Sequence, residues 1–140
     1  MIEKFLSTFE KRFGIAKNNF KRFSIFTYQN GVWMASREAG DFNRLRIQRR
    51  GIKIARVFPH TVKPTTNGMQ LLGREVKKNR IELNKEEALR FCKGEKVKLR
   101  KRGVEKGFVV VFYKNFPLGV GLYKEGELKS QVPRARRIRG

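Results

Sequence analysis

Apolar positions in the first third of the chain change period from helical to alternating. Ile2, Phe5, Leu6, Phe9 and Phe13 recur every three or four residues and Gly14 follows, which predicts an amphipathic helix over residues 3–13. Its Phe-rich face either lies on the protein's own core or marks a partner groove. Phe20 to Tyr28 reads as a strand, and Gln29-Asn30-Gly31 then turns into Val32-Trp33-Met34-Ala35. Asn-Gly between apolar β-formers is a strong hairpin signal, because both residues tolerate positive φ. A second hairpin is predicted at 44–58. Leu45 and Ile47 alternate with Arg44, Arg46 and Gln48, Arg49-Arg50-Gly51 turns, and Ile52 and Ile54 alternate with Lys53 and Ala55. One face of it is apolar and the other basic, which suits either a solvated sheet or one that meets phosphates.

Pro59 and Pro64 bracket a loop holding His60 and Lys63. A short helix is expected from Thr65, capped by Thr65 or Thr66, with Met69, Leu71 and Leu72 facing inward. Lys77-Lys78-Asn79-Arg80 is a polar break, and the expected domains are 1–79 and 80–140. Asn84-Lys85-Glu86-Glu87 has the form of a capping box, starting a helix over Ala88, Leu89, Phe91 and Cys92 that Gly94 ends. Val97 and Leu99 alternate with Lys96, Lys98 and Arg100. The nearly continuous apolar run Phe108–Tyr113 follows, then a turn at Lys114-Asn115. Beyond it Leu118, Val120 and Leu122 share one side, and Gly119, Gly121 and Tyr123 the other. Lys124-Glu125-Gly126 turns again, and the chain ends in a basic tail. The class is α+β, a small N-terminal α/β domain packed on a C-terminal β-barrel.

Charge narrows the partner. The 34 Lys+Arg against 12 Asp+Glu give a net charge of +22, with 15 basic and 5 acidic side chains in residues 1–75 and 19 and 7 in the rest. Both halves are basic, which favours a face running over the molecule rather than one tail. Such a charge repels itself, and a nucleic-acid backbone offsets it while releasing condensed counterions. A membrane surface would call for a lipidation signal or a basic helix with a large apolar face, and neither is evident. At 39% hydrophobic the chain can build a core. The single Cys92 allows no internal disulfide, and with no long apolar run or signal-type N-terminus a cytoplasmic protein is expected. One histidine, one inward-facing cysteine, no Walker or GxGxxG loop and no obvious pair among the five carboxylates of residues 1–75 point to a binding module without cofactor or metal, and not to an enzyme.

The segments KPTTNGMQLLG, LNKEEALRFCKGEKV and GFVVVFYKNFPLGVGLYKEGELKSQVPRARR resemble the C-terminal RNA-binding region of the Sun-family rRNA cytosine-5 methyltransferases. They also resemble large-subunit ribosome biogenesis factors in which a small α/β domain precedes a PUA domain (pseudouridine synthase and archaeosine transglycosylase). The similarity covers roughly residues 45–139, and Pro117 to Lys129 is its most specific portion. It implies a pre-PUA domain followed by a PUA pseudo-barrel. The implied role is RNA binding in ribosome biogenesis or in rRNA or tRNA modification. No cofactor-binding Rossmann region or catalytic cysteine motif stands upstream, so the methyltransferase chemistry is not implied.

The expected partner is structured rRNA or tRNA. An RNA-modifying enzyme or a pre-ribosomal particle is a further candidate, with the chain then an accessory subunit docked through the apolar face of helix 3–13. Candidate RNA-binding residues are Arg44, Arg46 and Lys53 on the N-terminal sheet and Lys63 ahead of a helix N-terminus. Lys96, Lys98 and Arg100 join them on a strand, with Lys129, Arg134, Arg136 and Arg137 near the end. Phe116, at a turn, is the candidate for stacking on an unpaired base. Gly119 and Gly121 admit either a close RNA backbone or the packing of the 85–93 helix or a barrel bend.

Overall fold

Helix α1 (Ile2–Phe13) places Phe5, Phe9 and Phe13 on one side and stops where Gly14 takes a left-handed φ of 69°. In the computed structural model, which describes residues 1–36 and 51–138, all three rings are buried. They meet tilted or edge-on, with centroids 4.5 Å apart for Phe5–Phe9 and 5.4 Å for Phe9–Phe13, and Phe20 joins at 5.4 Å from Phe5. Such pairs add about 0.5–1.5 kcal/mol beyond burial. The Phe stripe is therefore core, and α1 presents no apolar face on which an enzyme partner could dock.

The helix covers a four-stranded antiparallel sheet in the order β1 (Phe23–Tyr28), β2 (Gly31–Ser36), β3 (Ile52–Val57), β4 (Val62–Pro64). The first hairpin forms, with its turn one residue earlier than Asn-Gly suggests. Tyr28 pairs with Gly31, and the positive φ of 53° falls on Gln29. Gly31 is a strand residue whose bare Cα makes room for Trp33, since a Cβ there would lie 3.0 Å from the indole nitrogen. The 44–48 strand and the Arg49-Arg50 turn of the second hairpin lie outside the described residues. The segment between the two prolines is not a plain loop but ends in the edge strand β4, where Pro64 can sit because an edge needs no further N–H.

Helix α2 (Thr66–Leu72) starts at Thr65, whose hydroxyl accepts from the Gly68 N–H at 3.0 Å. Met69 and Leu72 are buried as expected, but Leu71 is 46% exposed and points to solvent. Gly68 lets α2 rest directly on β3, because a Cβ would come within 2.7 Å of Ile54 Cα.

The C-terminal half is a curled half-barrel in the order β5-β7-β8-β9-β6, formed by β5 (Arg80–Glu82), β6 (Val97–Lys98), β7 (Gly107–Tyr113), β8 (Phe116–Lys124) and β9 (Glu127–Ser130). β5 runs parallel to β7 and the other pairings are antiparallel. Helix α3 (Lys85–Cys92) begins with the complete capping box: Asn84 accepts from the Glu87 N–H at 2.8 Å, and Glu87 from the Asn84 N–H at 3.0 Å. Leu89, expected inside, is 46% exposed. The turns at Lys114-Asn115 and Glu125-Gly126 both use left-handed residues. The alternation at 96–100 is shorter than it reads, since β6 covers Val97–Lys98 alone. β5 and β9 lie where the sequence reads as polar break and basic tail.

β7 is apolar without interruption because it is buried on both faces. Val110 and Phe112 join α1, α2 and the N-terminal sheet in one core, and Val109 and Val111 join α3, Tyr123 and Leu128 in a second. A register shift at Val111/Phe112 breaks the even alternation of β8, so Leu118 packs on the second core while Val120 sits in the first. The glycine ledge serves packing. A Cβ on Gly121 would lie 2.5 Å from Leu128 Cδ1, and one on Gly119 2.9 Å from Val132 Cγ2.

Candidate nucleic-acid interface

A polyanion is held by cations that are exposed and have no acid or carbonyl of the protein to satisfy them. The sequence-chosen residues divide on that criterion. Arg44 and Arg46 lie outside the described residues. The other ten fall on the outer face of the N-terminal sheet, the β6/β9 edge, the Lys114 turn and the C-terminal tail.

On the N-terminal sheet Lys53 lies opposite Trp33, Arg56 opposite both Gly31 and Lys63. Residues three apart on a regular strand point to opposite faces. A bulge between the Val32 and Trp33 pairings changes that parity: Ile54 and Ala55 are both fully buried, and Lys53 and Arg56 emerge on the same side. The sequence pattern put Ala55 on the Lys53 face and missed Arg56 for this reason. Lys53 Nζ stands 5.1 Å from the Trp33 ring centroid. Partial burial, and then the charge of Arg56, lower the Lys53 pKa. Lys63 is half-buried two residues ahead of Thr65, whose hydroxyl accepts the Gly68 N–H of α2.

At the opposite end Lys96, Lys98, Arg100 and Lys129 are exposed. Lys98 pairs across β6/β9 with Glu127, and Lys129 lies two residues further along β9 on the same face. Lys98, Arg100, Glu125, Gly126 and Glu127 line an open concavity of about 610 Å³. Lys124 and Lys129 border the adjoining hollow of about 240 Å³. The two glutamates, passed over in the sequence, make this patch mixed in sign with cations in excess. Among the described residues neither glutamate comes within ion-pair distance of these lysines or of Arg100, so all remain accessible to a ligand.

The tail is different. Arg134 is exposed, but Arg136 donates to Asn67 Oδ1 and, at 2.8 Å, to Gln70 Oε1 of α2. Arg137 Nε donates to Val132 O at 3.0 Å, its guanidinium lies against Gly94, and the Ile138 N–H reaches Cys92 O at 2.9 Å. These bonds strap α2 to the end of α3. Phe116 is 63% exposed directly after the Lys114-Asn115 turn and opposite Tyr113, over which Lys114 Nζ stands at 5.5 Å from the centroid. Tyr123, by contrast, is buried, and its hydroxyl accepts the Lys101 N–H.

Residues 78–138, from just before β5 to the tail strap, match the family described as the methyltransferase RsmF PUA domain. This region is a PUA domain. Lys96, Lys98, Arg100, Phe116, Lys129, Arg134, Arg136 and Arg137 belong to it, whereas Lys53 and Lys63 lie in the preceding sheet. The chain is also similar to ribosomal RNA small subunit methyltransferase F of three Shewanella species. It is 31% identical to that of Shewanella oneidensis over 111 residues, 79% of this chain and 23% of the relative. Identity is 33% over 91 residues with Shewanella pealeana (65% and 18%) and 30% over 103 with Shewanella woodyi (73% and 21%). The chain thus matches about a fifth of the length of these relatives.

Chemistry around the PUA domain is sparse. Among the described residues no group of three or more His, Cys, Asp or Glu could hold a metal ion, and no helix is long and apolar enough to cross a membrane. Cys92 is half-buried and burial pushes its thiol pKa up, the opposite of what a thiolate nucleophile needs.

Proposed function

We propose that this chain binds structured rRNA or tRNA without itself catalysing a reaction, acting in ribosome biogenesis or RNA modification in the cytoplasm. The observation that carries the reading is the set of accessible cations on the PUA domain, with Lys98 and Arg100 on one concavity and Lys129 on the hollow that adjoins it. They suit phosphates, and the concavity suits a folded RNA surface read by shape. Lys53, Arg56 and Lys63 would extend the contact to the N-terminal sheet. A second reading makes the chain the RNA-binding part of an RNA-modifying enzyme. It is favoured by relatives that are rRNA methyltransferases, and it needs a docking surface other than α1.

Mobility-shift titrations with a structured rRNA fragment at rising salt test the proposal. Affinity should fall steeply as salt rises, in proportion to the phosphates neutralised. Absence of binding at low salt, or equal affinity for duplex DNA, overturns it. Co-purification under gentle conditions separates the two readings, since the second requires an enzyme partner.

A further inference from the structure

Pairing in the N-terminal sheet puts more than cations on its outer face. Trp33 lies opposite Phe26 on β1 and opposite Lys53 on β3, and Tyr28 lies opposite Gly31, one pleat along. Tyr28, Trp33 and Phe26 therefore share a face with Lys53, Arg56 and Lys63. Tyr28 is 44% exposed, and Phe26 and Trp33 are half-buried. Gly31 keeps this face flat, since a side chain there would collide with the indole and with Lys53 Cε at 3.2 Å. Trp33 Nε1 is buried and finds no hydrogen-bond acceptor among the described residues. No aspartate or glutamate belongs to the described part of the face.

We propose that this outer face is a stacking platform for an unpaired stretch of RNA, with Trp33 and Tyr28 taking successive bases and Lys53, Arg56 and Lys63 taking the phosphates. The inference rests on the RNA-binding reading and adds a second mode to it: single-stranded RNA on the N-terminal sheet, beside structured RNA on the PUA domain. Trp33 on β2 and Tyr28 on β1 are diagonal cross-strand neighbours, a placement that sets residues about 7–8 Å apart, and any base can use such π-surfaces. Lys53 Nζ now covers the Trp33 ring, and its flexible stem lets the ammonium swing to a phosphate when a base arrives. The depressed Lys53 pKa, caused first by burial and then by Arg56, accords with two cations sharing this face.

Trp33 is the sole tryptophan of the chain, so its fluorescence reports on this face alone. The full chain is titrated with a twelve-residue oligouridine, a blunt RNA duplex and inorganic polyphosphate, with binding followed in parallel by mobility shift. Oligouridine should quench Trp33 at saturation, and duplex and polyphosphate should bind without quenching. Tyr28→Ala, at an exposed site, should lower oligouridine affinity about tenfold while leaving duplex affinity within about twofold, and Tyr28→Phe should restore it. Saturation by oligouridine without quenching, equal quenching by polyphosphate, or an unchanged Tyr28→Ala affinity overturns the platform and leaves structured-RNA binding standing. Failure of the chain to bind any RNA in the mobility assay removes both.

Discussion

Arg136 and Arg137 in the C-terminal tail donate to Asn67, Gln70 and the Val132 carbonyl, whereas Lys53, Arg56 and Lys63 on the N-terminal sheet have no acid or carbonyl acceptor among the described residues. Both regions carry several basic residues in the sequence. The tail is short and follows the last strand closely, so its guanidiniums reach the Asn67 and Gln70 side chains of α2 and the Val132 carbonyl, and the Ile138 N–H reaches Cys92 O at the end of α3. The sheet face is built from cross-strand pairs in which cation meets cation, glycine or aromatic ring, and among the described residues no acid or carbonyl accepts from its cations. A basic run is thus a binding surface only where the fold supplies no internal partner. The β6/β9 edge of the PUA domain lies between the two, with Glu125 and Glu127 close to Lys98 and Arg100 but not paired with them.

The largest perturbation tests whether these regions belong to one cooperative unit. Phe112 sits in the core shared by the PUA strands and the N-terminal elements, with the Arg80 guanidinium 4.0 Å from its ring centroid. Phe112→Ala should cost about 3–5 kcal/mol and lower a single thermal transition seen by calorimetry. Two transitions, with one unmoved, would show that the sheet and the PUA domain fold separately and that their surfaces are independent. Next in size, Arg137→Ala should destabilise by about 1–2 kcal/mol in urea titrations, because it strips Val132 O of its donor and frees the strap. An unchanged midpoint would return Arg137 to the pool of RNA-binding cations.

Smaller effects fall on affinity rather than stability. Lys98→Glu and Lys129→Glu should each weaken structured-RNA binding several-fold while the melting temperature stays within about 1 °C, as expected for exposed side chains. Equal weakening by Arg136→Gln in the folded protein would erase the distinction between strap and surface. The smallest signal comes from Cys92, whose thiol pKa is pushed up by burial. The raised pKa keeps it protonated at neutral pH, so alkylation should be slower than that of a free cysteine and should quicken when Arg137→Ala loosens the tail. A rate equal to that of the free thiol would mean that the tail does not hold the end of α3.

Much of this organisation was legible in the residues. Phe5, Phe9 and Phe13 before Gly14 gave α1, Asn84 with Glu87 gave the start of α3, and the apolar run at 108–113 gave β7. Turn chemistry at Lys114-Asn115 and Glu125-Gly126 was equally clear. The misses share a cause, which is that pairing and not local pattern decides them. β5 is three residues long and exists because β7 offers it a parallel neighbour. Glu127–Ser130 holds a single large apolar residue, Leu128, and is a strand because it bridges β8 and β6. Arg56 joined the Lys53 face through a bulge that no alternation reveals, and the internal engagement of Arg136 depends on side chains 66 and 69 residues away in sequence. Tyr28 and Trp33, in contrast, could have been placed on one face from their positions around the hairpin.

The most direct test is the salt dependence of binding to a structured rRNA fragment, measured for the wild type, Lys129→Ala and Arg136→Ala. A surface cation that neutralises a phosphate carries a share of about 0.7–0.9 in the slope of log K against log salt. The slope should therefore become shallower by about that amount in Lys129→Ala and stay at the wild-type value in Arg136→Ala. Equal slopes for the wild type and Lys129→Ala, with the loss appearing in Arg136→Ala instead, would contradict the account.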